Sequence, residues 1–238
     1  MLRGLVEMNG LALSSCIYSE NMIEELHEEM AAQGAPPAEK PHQYQEIMDN
    51  LIKPKDRPAP DKLLSEHQYT DYFDAEKKKS YWVDEDGKNC FMLYAKDLTI
   101  IWSGDRRYWR WSPLKVTRDA SVDVAELLDV CWLDVNGAFD TKYLTPDTVY
   151  EVSFVIRLKD PNYGWEDNVN FSLTLPGNDK KTFTQDLRKL PRGSWSIIRV
   201  GEFKPPRQSG RMDFTLRQTV PKWKKGLVIL GVDISPKL

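Results

Sequence analysis

The chain has 238 residues, of which 41% are hydrophobic and 29% charged, and its formal net charge is −3 at pH 7. This length suits one large domain, or one domain with a smaller one. The small net charge excludes a whole-chain electrostatic bias toward nucleic acid or anionic membranes. No apolar run approaches the roughly 20 residues of a transmembrane helix. We therefore expect no membrane partner.

The N-terminus and the cysteines favour a cytoplasmic location. Arg3 and Glu7 interrupt the mildly apolar first sixteen residues and spoil a secretory signal. Three cysteines, Cys16, Cys90 and Cys131, make an odd count without a close pair or metal-ligand spacing. Cys131 alternates with apolar residues, so we expect a buried thiol there, whereas Cys16 and Cys90 are the candidates for accessible thiols.

Helical patterns occupy the first third of the chain. Apolar residues recur at helical spacing across 20–33, with glutamates on the opposite face, then after Pro41, and again around 63–73. The apolar stripe of the second helix consists of Tyr44, Ile47, Met48 and Leu51. We therefore expect a helical or flexible extension, residues 1–40, and a helical lead-in, residues 41–79. We expect its lysine triplet, 77–79, to be a solvent-exposed junction between the helical segment and the strands. The alternative is a nuclear-import signal.

From Tyr81 onward the hydrophobic period changes to two. Apolar and polar residues alternate across 151–158, 169–175 and 212–217. Turn signals separate the strands at Asp86-Gly87, Asn136-Gly137 and Pro176–Asp179. Many short strands with one polar face each predict a mostly β protein, a two-sheet antiparallel β-sandwich over residues 80–238.

The ten residues Trp102–Trp111 contain four aromatic rings, three arginines and one acid. A buried strand would not tolerate their Gly-Asp-Arg-Arg segment, because each buried charge needs a partner. Planar rings beside hydrogen-bonding groups suit a flat amphipathic ligand, such as a sugar ring or a nucleobase. The alternative is a hairpin with inward tryptophans. Leu98, Ile100 and Trp102 have the spacing of a half-buried strand, and Trp111 suits the core as well as a ligand.

The remaining tryptophans and the histidines do not indicate a second binding site or a catalytic site. Trp132 alternates with Asp134 in an apolar segment, so we expect it in the core, and we expect Trp165 and Trp195, beside glycines, to be packing or turn residues. The three histidines lie in the helical part, without a nucleophile or ligand at useful spacing. We therefore predict no enzyme, metal or cofactor. Sequence alone does not exclude paired carboxylates for glycoside hydrolysis, and nothing favours them.

Several motifs closely resemble the phloem protein 2 lectins, which are plant proteins of the Nictaba-type lectin class. The resemblance extends from about Pro41 to the C-terminus. Its main motifs are Ala95–Trp102, Tyr108–Trp111, Val124–Leu127, Val130–Val135, Tyr143–Pro146, Asp160–Trp165, Val200–Phe203 and Trp223–Leu227. It implies a jelly-roll-like β-sandwich lectin domain, in agreement with the strand pattern.

The resemblance also implies a carbohydrate site. Two signature tryptophans of these lectins line the site for N-acetylglucosamine oligomers, and they correspond to Trp102 and Trp109. The residues between them that can supply hydrogen bonds include Asp105, Arg107 and Tyr108. A second aromatic loop carries Trp223, and Gln218 stands near the place where some family members have an acid.

The function implied is non-enzymatic binding of N-acetylglucosamine oligomers, such as chitin fragments and N-glycan cores. The family resemblance places such a protein in the cytoplasm of phloem sieve elements or companion cells, and we expect a homo-oligomer. RNA binding is the first alternative, because Arg106, Arg107 and Arg110 lie among aromatic rings. A structural, filament-forming phloem protein is the second.

Overall fold

The computed structural model describes residues 40–53, 72–118 and 120–237. The helix predicted at 20–33, residues 63–71 of the helix predicted at 63–73, and Cys16 lie outside these ranges. The last two residues of the latter helix, Tyr72 and Phe73, form a strand, so the prediction is wrong there. Within them, no helix is both long and apolar enough to cross a bilayer.

The lead-in helix after Pro41 is confirmed. Tyr44–Glu46 forms a short α-helix, α1, which continues as a π-helix over Ile47–Ile52. The N–H of Lys53 donates to the carbonyl of Met48 at 2.9 Å, and Lys53 ends the helix in the left-handed conformation. Tyr44, Ile47, Met48 and Ile52 are buried in the main core, so this segment packs against the strands.

Most of the described chain is strand. The strands are β1 (Tyr72–Phe73), β2 (Lys79–Val83), β3 (Asn89–Tyr94), β4 (Thr99–Ile100), β5 (Trp109–Lys115), β6 (Ser121–Leu127), β7 (Leu133–Asp140), β8 (Tyr150–Tyr163), β9 (Val169–Thr174), β10 (Lys180–Gln185), β11 (Trp195–Phe203), β12 (Arg211–Gln218) and β13 (Lys225–Pro236). Short 3-10 helices lie at Ala95–Asp97, Thr141–Tyr143 and Leu187–Lys189.

The strands form two antiparallel sheets. In the larger sheet, β13 pairs with β8 along one edge and with β3 and β6 along the other; β11, β2, β1 and β5 extend it. The smaller sheet has the order β10-β9-β12-β7-β4. The ring centroid of Phe154 on β8 lies 5.6 Å from that of Phe171 and 6.2 Å from that of Phe214, both on the smaller sheet. The two sheets therefore face each other across one core, which confirms the predicted β-sandwich.

Three local predictions are wrong. Asn136-Gly137 is not a turn but lies within β7, where a Cβ on Gly137 would come 2.2 Å from a ring carbon of Phe214. Glycine is therefore needed there for close packing rather than for a turn. Cys131 is partly exposed in a turn, not buried in a strand, because β7 begins only at Leu133. Cys90 is buried on β3, so it is not an accessible thiol.

Strand register gathers four connecting loops at one end of the sandwich. Trp109 pairs with Leu127, Leu133 with Gln218, and Tyr163 with Lys225. The loops that join these strand ends are residues 101–108, 128–132, 164–168 and 219–224. We call this region the four-loop end.

Candidate functional site

Hydrogen bonds tie the four loops together. The N–H of Leu128 donates to the carbonyl of Tyr108 at 2.8 Å, which joins the first two loops. Val130 and Lys224 exchange backbone hydrogen bonds of 3.1 and 2.9 Å, which join the second loop to the fourth. The Lys222 ammonium donates to the Asp167 carboxylate at 2.7 Å, which joins the fourth to the third. The four-loop end is therefore one connected surface.

Three tryptophans stand half in solvent at this end. Trp102, Trp132 and Trp223 are 51%, 49% and 53% exposed, and Tyr163, the last residue of β8, is also exposed. In the part of the chain that the structure describes, no atom accepts a hydrogen bond from the indole N–H of any of the three. Each therefore offers an aromatic face and a free donor to a ligand.

Two indoles, one buried and one partly buried, hold the backbone on either side of Trp102. The indole N–H of Trp109 donates to the carbonyl of Ile101 at 3.0 Å, and that of Trp111 donates to the carbonyl of Ser103 at 2.9 Å. Trp102 itself has a φ of 59°, a left-handed conformation that costs a non-glycine residue free energy. The two hydrogen bonds and the turn geometry thus turn Trp102 outward, although the spacing predicted a half-buried strand position.

The predicted position of Trp109 is wrong. Trp109 is 2% exposed and belongs to the main core, because it begins β5 and its ring faces inward. It does not lie in the polar turn and has no surface to offer a ligand. Its position beneath Ile101 makes it a support for Trp102. Trp111 is likewise held against the core, with the Lys96 ammonium 3.9 Å from its ring centroid.

Asp105, Arg107 and Tyr108 form an ordered turn beside Trp102. The Asp105 carboxylate accepts hydrogen bonds from the backbone N–H of Arg107 at 2.9 Å and from its guanidinium at 2.7 Å. These hydrogen bonds lower the pKa of Asp105, so the carboxylate is held ionised. The Tyr108 ring lies 5.4 Å from that of Trp102, and the Arg107 guanidinium lies 5.2 Å from the Tyr108 ring. The turn therefore brings these three candidate residues close to Trp102.

Trp223 is displayed by a loop anchored on the buried Lys224. The Lys224 ammonium donates to the carbonyls of Cys131, Val220 and Lys222 at 2.5, 3.0 and 2.7 Å. Burial lowers the pKa of Lys224, and the three carbonyls satisfy the three N–H bonds of its charged form. The third loop also packs closely: a Cβ on Gly164 would lie 2.0 Å from the carbonyl oxygen of Trp223. The backbone of Trp223 is thus fixed by the hydrogen bonds of Lys224 and by its close packing against Gly164.

Gln218 lies under this loop and not on the surface. It is 1% exposed, and its amide N–H donates to the carbonyl of Asp167 at 2.7 Å. Its side-chain oxygen is buried without a hydrogen-bond partner in the described structure. The expectation that Gln218 stands beside a ligand is therefore corrected: it touches the third loop from below, because β12 extends to Gln218 and turns its side chain inward.

Sequence reasoning missed Trp132 and Tyr163. Trp132 was expected in the core, but the residue precedes β7 and stands half exposed in the second loop. Tyr163 ends β8 and donates its hydroxyl hydrogen bond to Asp129 at 2.9 Å. The alternating pattern around Trp132 concealed the turn. Trp165 is buried, as expected, and its indole N–H donates to the carbonyl of Lys225.

The chemistry available at the four-loop end is stacking and hydrogen bonding. Indole faces suit the apolar face of a pyranose ring, and free N–H, guanidinium and carboxylate groups suit its hydroxyls and amides. In residues 40–53, 72–118 and 120–237, histidine, cysteine and acidic side chains form no cluster that could hold a metal ion.

Comparison with known proteins matches this region to one family. The Phloem protein 2 family matches residues 88–236, which include all four loops. Phloem protein 2-like A1 of Arabidopsis thaliana is 46% identical over 179 residues, 73% of this chain and 73% of the relative. The chain belongs to the phloem protein 2 family. The resemblance seen in the sequence motifs is thereby confirmed.

Further phloem protein 2 relatives differ in how much of their own length is shared. A lectin of Luffa acutangula is 40% identical over 164 residues, 68% of this chain and 78% of the relative. Phloem protein 2-like A5 of Arabidopsis thaliana is 39% identical over 165 residues, 66% of this chain but only 40% of the relative. This phloem protein 2 domain therefore also occurs within longer chains.

Proposed function

We propose that this phloem protein 2 is a non-enzymatic lectin that binds N-acetylglucosamine oligomers, such as chitin fragments and N-glycan cores, at the four-loop end. The observation that carries the proposal is the set of three half-exposed indoles, each without an acceptor for its N–H among the described residues. Membership of a family that includes a protein named a lectin supports it.

The role of each candidate site residue follows from the exposure of its side chain. Trp102 stacks on a sugar ring, while Asp105, Arg107 and Tyr108 line the polar side of the same platform. Trp223 supplies a second platform across the end. Trp109 and Gln218 act from beneath as supports, since both are buried.

Rigidity favours this function. The turn at 102–108 is closed by the hydrogen bonds of Asp105, and the Trp223 loop is held by Lys224. A site whose side chains are already ordered loses less conformational entropy when it binds a ligand. A sugar ring can therefore stack on such a platform without a rearrangement of the loops.

A glycan array tests the proposal. We expect the purified protein to bind chitin oligosaccharides and N-glycans with exposed N-acetylglucosamine cores, and free chitotriose to compete for this binding. An array profile without any N-acetylglucosamine-containing glycan, or binding that chitotriose leaves unchanged, overturns it.

RNA binding is the second candidate. It is favoured by the exposed side chains of Arg106 and Arg107 in the loop 101–108, where the Arg107 guanidinium lies 5.2 Å from the Tyr108 ring. Binding of a single-stranded oligoribonucleotide through these arginines falls steeply as salt rises, because counterions are released from the phosphates. Sugar stacking changes little with salt. Titrations of both ligands between low and high ionic strength therefore separate the two functions.

We infer in addition that the protein works in the cytoplasm of phloem sieve elements or companion cells as a homo-oligomer. The family membership supports this inference. A structural, filament-forming role is its alternative. Sedimentation of the full chain over a range of concentrations distinguishes the three states: a closed oligomer gives one limiting size, a filament grows without limit, and a monomer contradicts both.

A further inference from the structure

Trp132 is the half-exposed tryptophan that no expectation assigned to the site. It belongs neither to the two apolar clusters of the described structure nor to the side chains packed against them. Its indole N–H has no acceptor among the described residues. Trp102 and Trp223 share these properties, whereas Trp109, Trp111 and Trp165 all donate to backbone carbonyls. Trp132 therefore belongs with the displayed tryptophans and not with the structural ones.

The segment of Trp132 lies next to that of Trp102. Ile100 pairs with Val135, and the N–H of Ile101 donates to the carbonyl of Asp134 at 3.1 Å. Trp102 directly follows Ile101, and Trp132 lies two residues before Asp134. Paired strands lie about 4.8 Å apart. The two indoles thus arise from neighbouring backbone segments.

The other side of the same segment is tied to Trp223. Val130 pairs with Lys224, the residue after Trp223, through two backbone hydrogen bonds. The Lys224 ammonium also donates to the carbonyl of Cys131, the residue before Trp132. The chain that carries Trp132 is therefore held between the chains that carry the other two exposed indoles.

We propose that Trp132 is a further sugar-stacking subsite between Trp102 and Trp223, so that the four-loop end takes a linear oligosaccharide of three or more rings. This inference rests on the proposed function. Each indole covers one pyranose ring, so a single N-acetylglucosamine occupies one platform. A longer chain reaches the neighbouring platform, and Trp132 then supplies the gain in affinity with chain length.

The test compares one sugar with three in the full chain. Affinities for N-acetylglucosamine and chitotriose are measured by NMR titration and calorimetry for the wild type, Trp132→Ala and Trp132→Phe. The matched control is Phe183→Ala, which removes an exposed aromatic ring on β10, outside the four loops. Thermal unfolding of each variant verifies that it is folded.

We expect Trp132→Ala to weaken chitotriose binding about tenfold or more, on the scale of one lost stacking contact. Its affinity for N-acetylglucosamine stays within about twofold of the wild type, and Trp132→Phe retains most of the chitotriose affinity. Phe183→Ala changes neither. Equal loss for both sugars, or no loss for either, overturns the subsite while leaving the proposed function standing. A wild type that binds neither sugar overturns the proposed function, and the subsite with it.

Discussion

The indole N–H of Trp109 donates a 3.0 Å hydrogen bond to the carbonyl of Ile101, the residue that precedes the exposed Trp102. Trp111, two residues along the same strand, does the same for Ser103, which follows Trp102. Two tryptophans thus hold the backbone so that a third is displayed. This arrangement assigns stability to Trp109 and ligand contact to Trp102.

Stability should separate these two tryptophans. We expect Trp109→Ala to lower the free energy of unfolding by about 3–5 kcal/mol, the usual cost of emptying the volume of a buried aromatic ring. Trp102→Ala should change it by about 0.5 kcal/mol or less, as an exposed substitution does. Urea unfolding followed by circular dichroism measures both. Equal losses for the two variants would contradict the assignment.

Gly164 gives a steric test of the Trp223 loop. Gly164→Ala introduces a Cβ 2.0 Å from the carbonyl oxygen of Trp223 at a residue whose φ is +81°. Gly177 has a φ of +85° but no atom near the position of a Cβ, so Gly177→Ala carries the same backbone strain without the clash. We expect a lower melting temperature and weaker glycan binding for Gly164→Ala than for Gly177→Ala. Identical behaviour would mean that the contact with Trp223 has no effect.

Lys224 should matter far more than its neighbour Lys222. Lys224→Met removes the buried ammonium that donates to the carbonyls of Cys131, Val220 and Lys222, and each hydrogen bond to a charged group contributes about 1.5–3 kcal/mol. Lys222→Met removes only a surface ion pair with Asp167, worth about 0–1 kcal/mol. Denaturant unfolding of the two variants measures the difference. A Lys224→Met protein as stable as Lys222→Met would refute the role of Lys224 as an anchor.

Asp233 should give the fold a pH dependence. Burial raises the pKa of this carboxyl group to about 7 from 3.8, against the opposing hydrogen bond from Ser235, and Glu151 raises it further. The folded state thus binds the proton more tightly than the unfolded state. The stability that Asp233 contributes is full below about pH 4 and is lost as the pH rises to 7.

The comparison of wild type with Asp233→Asn isolates this effect from that of the other acids. We expect the variant to gain stability relative to the wild type as the pH rises from about 4 to about 8, because the amide that replaces the carboxyl group cannot ionise. Unfolding free energies at several pH values measure the gain. A constant difference across this range would show that Asp233 has an ordinary pKa.

The sandwich could be predicted because its strands follow a local rule. Along β12, Met212, Phe214 and Leu216 are buried and the residues between them are not, as the alternation predicts. Gly137 could not be placed in this way. Its environment is set by Phe214, which lies far away in sequence, so the same dipeptide that forms turns elsewhere became part of a strand.

The exposed loop that carries Trp102 could be predicted from the sequence, but the orientation of its rings could not. Composition marks Trp102–Trp111 as unusual, and the family motifs indicate a sugar site there. The pattern does not reveal which ring faces outward, since this depends on the left-handed conformation of Trp102 and on hydrogen bonds from Trp109 and Trp111. Trp132 was misplaced for a similar reason, because an apolar strand pattern continues past the point where the chain turns.

The most direct test of the proposed site is calorimetric titration with chitotriose of the wild type, Trp102→Ala and the control Phe183→Ala. We predict that Trp102→Ala weakens binding by roughly 1–3 kcal/mol, the scale of one lost aromatic stacking contact, while its melting temperature is unchanged. Phe183→Ala should bind like the wild type. Wild-type affinity in a folded Trp102→Ala protein would contradict the assignment of the four-loop end as the sugar site.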